Sequence, residues 1–194
     1  FGTSGTDAKR YWVIDPIDGT KNFMRGVPSW STLIALIERN DDGTEKIVVG
    51  VVSSPALFRR WHAALGLGAY VSLNGAAPKK IHVSGIKSIS DASITYSDFN
   101  NWGDYLPKVQ SLLAASNRTR GFGDFWSHML VAEGALEVAV EPVLALWDMA
   151  ALDLIVTEAG GTFTSIEGHG DIWHGSALAT NGKLHPAVLA ELAR

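Results

Sequence analysis

The sequence predicts a layered α/β fold (α+β layered) in which strands and helices alternate. Two observations carry this prediction. Short segments rich in β-branched and aromatic residues are bounded by Gly, Pro and Asn, and several later segments repeat apolar residues at helical spacing. Strands come before helices twice along the chain. This order favours two halves, residues 1–90 and 91–194, packed as one compact unit with a division near residues 88–92.

The first half is predicted to consist mainly of strands. Residues 1–9 predict a loop, and residues 22–28 predict an irregular or single-turn helical passage. Strands are expected at residues 11–14, 30–37, 46–53, 60–66 and 69–73. The first should end near Asp15, because Pro16 cannot donate a hydrogen bond to a sheet. The turn at residues 39–43 joins the next two strands as an antiparallel hairpin, and Asn74-Gly75 is the strongest hairpin signal in the chain.

The second half is predicted to alternate strands with helices. Strands are expected at residues 93–97, 136–140, 162–165 and 177–180. Helices are expected from residue 102 or 105 to 115, and at residues 125–133, 148–158 and 186–193. Asp148 should cap the third of these helices at its N-terminus, and Gly160-Gly161 should end it.

The composition indicates a globular domain with a substantial core. The 194 residues are 46% hydrophobic and 19% charged, and no run approaches the roughly eighteen apolar residues of a membrane span. We therefore expect a cytoplasmic protein. The net charge of −4 argues against a nucleic-acid partner. With no Cys in the chain, any metal must be held by oxygen or by histidine.

Two carboxylates follow the first predicted strand. In the segment 15–20 (DPIDGT) the backbone N–H groups of Gly19 and Thr20 can point toward an anion. Asp-Pro and Asp-Gly are also ordinary turn dipeptides, but a strand, two acids three residues apart, the intervening Pro and the following Gly-Thr together favour divalent cations beside a phosphate. Phosphatases with an aspartate nucleophile place one residue between their two acids, whereas this chain places two.

The segment 15–20 resembles the first signature of the inositol monophosphatase superfamily. Residues 147–151 (WDMAA), continuing to 158–161 (EAGG), resemble the second signature. The resemblance implies an alternating α-β-α-β-α sandwich of the sugar-phosphatase type. It also implies two or three Mg²⁺ ions held by Asp15, Asp18 and Asp148, with the backbone carbonyl of Ile17 as a further ligand.

The resemblance further implies direct phosphoryl transfer to a metal-activated water, without a covalent enzyme intermediate. Asp18 and Thr20 would be the catalytic residues, with Thr20 in a proton-relay position. The N–H groups of Gly19 and Thr20 would hold the non-bridging phosphate oxygens. The expected partner is therefore a small phosphorylated metabolite.

One family feature has no counterpart in this sequence. The family has a Gly-Glu-Glu segment upstream of the first motif, whose glutamate assists the water. Only fourteen residues precede Asp15 here, and Asp7 is the sole acid among them. We therefore expect an N-terminally incomplete chain, missing its first helices and weakly active or inactive alone. An apolar surface left by those helices would favour a homodimer.

The substrate predicted first is histidinol phosphate. Residues 121–128 (GFGDFWSH) and Lys21-Asn22 resemble the histidinol-phosphate phosphatases of the superfamily, which act in histidine biosynthesis. Asp124 and Glu141 could pair with the ammonium and imidazole of histidinol, and Arg120 could structure the same wall. Two alternatives stay open: the same chemistry on inositol monophosphate or another sugar phosphate, and an inactive fragment or binding module that lacks the activating glutamate.

Overall fold

The first half of the chain forms a six-stranded antiparallel sheet. The structure is a computed structural model that describes residues 8–171 and 173–193. The strands are β1 (Arg10–Asp18), β2 (Ser31–Arg39), β3 (Glu45–Ser54), β4 (Arg59–Ala64), β5 (Gly68–Leu73) and β6 (Lys79–Lys80). They lie side by side in chain order, so β1 is an edge strand.

A second sheet of five strands belongs to the second half. Its strands are β7 (Ser93–Thr95), β8 (Arg118–Arg120), β9 (Val138–Glu141), β10 (Thr162–Thr164) and β11 (Ala177–Thr180), in the order β10-β11-β9-β7-β8. Strand β7 runs parallel to both β8 and β9, and the other pairs are antiparallel. The short strand β8 was not predicted from the sequence.

Helices fill the space between the sheets and cover the second one. The helices are α1 (Thr20–Met24), α2 (Leu106–Ala115), α3 (Asp124–Ala132), α4 (Leu146–Glu158) and α5 (His185–Ala193). One core cluster joins the first sheet to α3, α4 and one face of the second sheet, and another joins its other face to α2 and α5. Sheet, helices, sheet and helices thus give four of the five expected layers within the described residues. No helix of this part of the chain is long and apolar enough to cross a membrane.

Helix α4 lies directly on the first sheet because β3 contributes a glycine at the contact. A Cβ atom added at Gly50 would lie 2.9 Å from the backbone oxygen of Ala151 and 3.4 Å from its Cα. Real Cβ atoms essentially never approach a backbone oxygen so closely, so any larger residue would push the helix away. The glycine therefore sets the depth at which α4 sits in the core.

Two local predictions were wrong. Strand β1 does not end near Asp15 but runs through Pro16 to Asp18, with its register shifting between the two acids; an edge strand tolerates proline because one side has no partner. Asp148 is not the N-cap but the third residue of α4. The Asn74-Gly75 hairpin prediction is confirmed, because the Ala76 N–H bonds to the Leu73 oxygen and the two-residue β6 pairs antiparallel with β5.

Candidate metal and phosphate site

Three carboxylates from distant parts of the sequence converge at the end of β1. Asp15 and Asp18 come from β1, and Asp148 comes from the first turn of α4. One oxygen from each lies within 4.8 Å of the others. Oxygen-only donors at this separation suit a hard divalent cation such as Mg²⁺.

Backbone N–H groups fix the orientation of all three acids. Asp15 accepts a hydrogen bond from Ile17 at 3.0 Å, Asp18 accepts one from Phe125 at 2.8 Å, and Asp148 accepts one from Ala145 at 2.8 Å. These bonds come from β1, α3 and the loop before α4. The cluster is therefore held by three separate elements and does not depend on the flexibility of one loop.

The three carboxylates of this cluster repel one another when they are ionised. Burial raises the pKa of Asp18 well above its usual value, and Asp124, Asp148 and Asp15 add to the rise against the opposing Phe125 hydrogen bond. Burial also raises the pKa of Asp148 to about 6, with a contribution from Asp15. A bound cation would relieve this repulsion, because it favours the ionised form of every carboxylate around it.

The turn after Asp18 is tightly constrained. Gly19 adopts the left-handed conformation with φ of 76°, and a Cβ atom added there would lie 2.9 Å from the Ser29 backbone oxygen. The Thr20 hydroxyl donates a hydrogen bond of 2.9 Å to the carbonyl of Ile17. Glycine is thus required at position 19 both for its backbone angle and for space.

The cluster opens into a cavity of about 870 Å³. Besides the three acids, Gly19 and Thr20, polar side chains from both halves of the chain line this cavity: Lys21, Asn22, Ser97, Asp98, Asp124, His128 and Glu141. Its size is within the range of small-molecule sites in proteins.

Asp124 and Glu141 are both held by hydrogen bonds in this cavity. Asn22 donates to Asp124 at 2.9 Å, and the Ser97 hydroxyl donates to Glu141 at 2.6 Å. Burial raises the pKa of Asp124, although Lys21 opposes the rise. Burial raises the pKa of Glu141 to about 8, against the hydrogen bond from Ser97. Both acids are therefore available to a ligand that brings positive charge.

Comparison with known sequences assigns the chain to a protein family. The sequence profile of the inositol monophosphatase family matches residues 2–194. The chain belongs to the inositol monophosphatase family. As a member it is a phosphoric monoester hydrolase of a metal-dependent family, in agreement with the acidic cluster.

Relatives within the family carry two kinds of names. The chain is 49% identical to a histidinol-phosphatase of Streptomyces coelicolor, over 99% of this chain and 72% of the relative. It is equally identical to a histidinol-phosphatase of Mycobacterium tuberculosis, over 99% and 73%. An inositol-1-monophosphatase of Caulobacter vibrioides is 32% identical, over 97% and 73%.

Solved structures of the family have the same fold. An inositol monophosphatase from Zymomonas mobilis superposes with a TM-score of 0.85 at 28% identity, over 100% of this chain and 74% of that one. The extragenic suppressor protein suhB from Bartonella henselae gives a TM-score of 0.84 at 32% identity, over 97% and 70%. The layered α/β architecture predicted from the sequence is therefore confirmed.

One predicted site residue does not line the cavity described above. Arg120 ends β8 as an exposed residue, donates to the Thr119 backbone oxygen at 2.7 Å and is not among the residues that line the cavity. Its neighbour Gly121 lines the cavity instead. Asp7 falls outside the described residues.

Sequence reasoning missed three cavity residues. Ser97 is the last residue of the strand predicted at residues 93–97 and Asp98 follows it, and residues at the carboxyl ends of strands commonly line sites in α/β folds. That rule was the signal that could have found them. His128 lines the same cavity; burial lowers the pKa of its imidazole to about 4, and its Nδ1 atom has no hydrogen-bond partner among the described residues.

Proposed function

We propose that this chain hydrolyses histidinol phosphate to histidinol and phosphate, with Mg²⁺ held by Asp15, Asp18, Asp148 and the carbonyl of Ile17. The observation that carries the proposal is the presence of Asp124 and Glu141 in the same cavity as the carboxylate cluster. A phosphate ester at the cluster would thus have its alcohol portion near two further acids. Names of the relatives at 49% identity support the same substrate.

The donor set supports two or three magnesium ions. When bound, such ions lower the pKa of a coordinated water and stabilise charge on the leaving oxygen. The contribution of the chain is to hold the acids in position. Because Asp18 is buried and bonded to the Phe125 N–H, its carboxylate has one preferred orientation toward the cavity.

The turn at residues 18–20 would bind the phosphoryl group. In this proposal the N–H groups of Gly19 and Thr20 donate to its non-bridging oxygens, where negative charge accumulates during transfer. The Thr20 hydroxyl, which bonds to the Ile17 carbonyl, would hold a proton-relay position next to the attacking water. The left-handed Gly19 supports this role, since it allows the turn to close tightly.

Asp124 and Glu141 would select the leaving group. Histidinol carries an ammonium group and an imidazole, and ionised carboxylates form strong charge-assisted hydrogen bonds with such donors. Inositol offers only neutral hydroxyls. Because its pKa is raised to about 8, the Glu141 carboxyl is largely protonated at neutral pH. A cationic ligand favours the ionised carboxylate, so binding would promote loss of this proton.

Hydrolysis of inositol monophosphate or another sugar phosphate is the second candidate. The raised pKa of Glu141 favours it specifically, because a protonated carboxyl can both donate to and accept from a hydroxyl group. Relatives named inositol-1-monophosphatase are 29–34% identical to the chain, against 49% for two histidinol-phosphatases.

Phosphate release from the two substrates decides between the candidates. We expect histidinol phosphate to give a kcat/KM at least about ten-fold above that of inositol monophosphate, since one charged hydrogen bond commonly contributes about 1.5–3 kcal/mol. Equal or reversed values would refute the first proposal. A parallel calorimetric titration with Mg²⁺ tests the module alternative, which predicts weak or single-ion binding.

The predicted homodimer and cytoplasmic location are proposals with separate tests. Light scattering of the purified chain at several concentrations measures the oligomeric state. Fractionation of cells that express the protein measures its location.

A further inference from the structure

A single hydroxyl group lies between the two acids that face the proposed leaving group. The Ser97 Oγ donates to the Glu141 carboxylate at 2.6 Å and accepts the backbone N–H of Asp124 at 3.1 Å. A serine hydroxyl has one donor and two acceptor positions, so both bonds can exist at once. Ser97 therefore connects β9, which carries Glu141, to the start of α3, which carries Asp124.

The backbone before α3 is shaped to reach this hydroxyl. Gly123 has φ of 73°, and a Cβ atom added there would lie 3.1 Å from the Ser97 Oγ and 3.3 Å from its Cα. Asp124 itself has φ of 49°, which is uncommon for a residue with a side chain. The segment thus adopts an unfavourable conformation and packs closely against Ser97, a combination found where function constrains the backbone.

We propose that Ser97 is a positioning residue that sets the preference for a cationic leaving group, by orienting Glu141 and Asp124 together. This inference rests on the proposed function. The hydroxyl occupies one carboxylate oxygen of Glu141, which leaves the other oxygen for the ligand. Asn22 donates a hydrogen bond to the Asp124 side chain. The side chain of each acid therefore has one fixed contact.

Electrostatics support the same role. Burial, Asp124 and Asp98 all raise the pKa of Glu141, whereas the hydrogen bonds from Ser97 lower it. Loss of the hydroxyl would therefore raise the pKa of Glu141 further and keep its carboxyl protonated to higher pH. A ligand cation would then lose part of its ionic partner at neutral pH.

Ser97→Ala, assayed with Mg²⁺ and both substrates from pH 6 to 9, tests the proposal. We expect the KM for histidinol phosphate to rise about ten-fold with kcat within about two-fold, and the values for inositol monophosphate to stay within about two-fold. The acidic limb of the KM profile for histidinol phosphate should move to higher pH. Ser97→Thr keeps the hydroxyl and should restore both features.

Ser116→Ala is the matched control, because it removes a serine hydroxyl bond of 2.7 Å to the Leu113 oxygen away from the cavity. It should leave both substrates unchanged. Equal losses on both substrates for Ser97→Ala, or no loss on either while the unsubstituted chain prefers histidinol phosphate, would overturn the role of Ser97 alone. Absence of that preference in the unsubstituted chain would overturn the proposed function and this inference with it.

Discussion

Replacement of Asp148 by Asn should separate the stability of the chain from its ability to bind metal. The amide keeps an oxygen that can accept the N–H of Ala145, so the start of α4 should stay intact. The charge that faces Asp15 is removed. In the metal-free chain the variant should therefore be more stable than the unsubstituted protein, although it has lost a ligand.

The magnitude follows from the separation of the carboxylates. Two unit charges no more than 4.8 Å apart repel by at least roughly 3.5 kcal/mol at an effective dielectric constant of about 20. Both Asp15 and Asp148 are only half-buried, so solvent screening reduces this to about 1–2 kcal/mol. The sign depends on pH: because the folded-state pKa of Asp148 is raised from 3.8 to about 6, stability is lost as the pH rises from about 3.8 to about 6, and the full loss is present above pH 6.

Thermal unfolding at pH 8 with a chelator, and again with excess Mg²⁺, measures both effects. We expect Asp148→Asn to raise the metal-free Tm by roughly 2–8 °C, because 1 kcal/mol shifts Tm by about 2–4 °C for a chain of this size. Magnesium at about 100 times its Kd should add about 2.7 kcal/mol to the unsubstituted chain and almost nothing to the variant.

Asp104→Asn is the matched control, since Asp104 is exposed and remote from the cavity lining. It should change neither the metal-free Tm nor the response to Mg²⁺. If Asp148→Asn lowered the metal-free Tm and kept the full magnesium response, the three carboxylates would not form the metal site.

Three further predictions concern the cavity. Glu141→Gln should raise the KM for histidinol phosphate about ten-fold while phosphate release from inositol monophosphate stays within about two-fold, because only the cation loses an ionic partner. Calorimetric binding of histidinol should tighten from about pH 7.5 to 8.5, where an imidazole with a pKa of about 6.5 is already mainly neutral, because a carboxyl with a pKa of about 8 must lose its proton to pair with the ammonium group of the ligand. Gly19→Ala should lower the free energy of unfolding by about 1–3 kcal/mol, measured by chemical denaturation, because Cβ would meet the Ser29 oxygen at 2.9 Å and φ is 76°.

Each of these predictions has its own control. Glu141→Gln should abolish the pH dependence of histidinol binding, and a dependence that survives would assign it to another group. Gly26→Ala matches Gly19→Ala in backbone angle, with φ of 72°, but its Cβ would meet nothing within 4 Å. Equal losses of stability in the two glycine variants would show that crowding at Gly19 contributes nothing.

Local sequence patterns were sufficient for most elements, and the resemblance to two family motifs singled out the three carboxylates of the proposed metal site. Asp15, Asp18 and Asp148 each lie in a motif whose spacing is visible in the chain, and the structure places them together. Alternation of apolar residues in β2 likewise matches its alternating burial. In these cases the information resides within a few neighbouring residues.

Contacts between distant residues outside the family motifs could not be predicted. Ser97 and Glu141 are 44 positions apart, and Asn22 and Asp124 are 102 positions apart, so no local pattern links them. Arg120 was predicted to structure the substrate wall because it precedes residues 121–128, which resemble the histidinol-phosphate phosphatases. The short strand β8 alternates in exposure and leaves Arg120 exposed at its end.

The close contact between Gly50 and Ala151 has a consequence for how this enzyme can vary. Ala151 lies one helical turn beyond Asp148 on α4, so the glycine determines how far that carboxylate extends toward β1. The position of Asp148 relative to Asp15 and Asp18 thus depends on a backbone contact in the interior. A side chain at position 50 would move Asp148 and so change cation binding, without itself contacting the carboxylates.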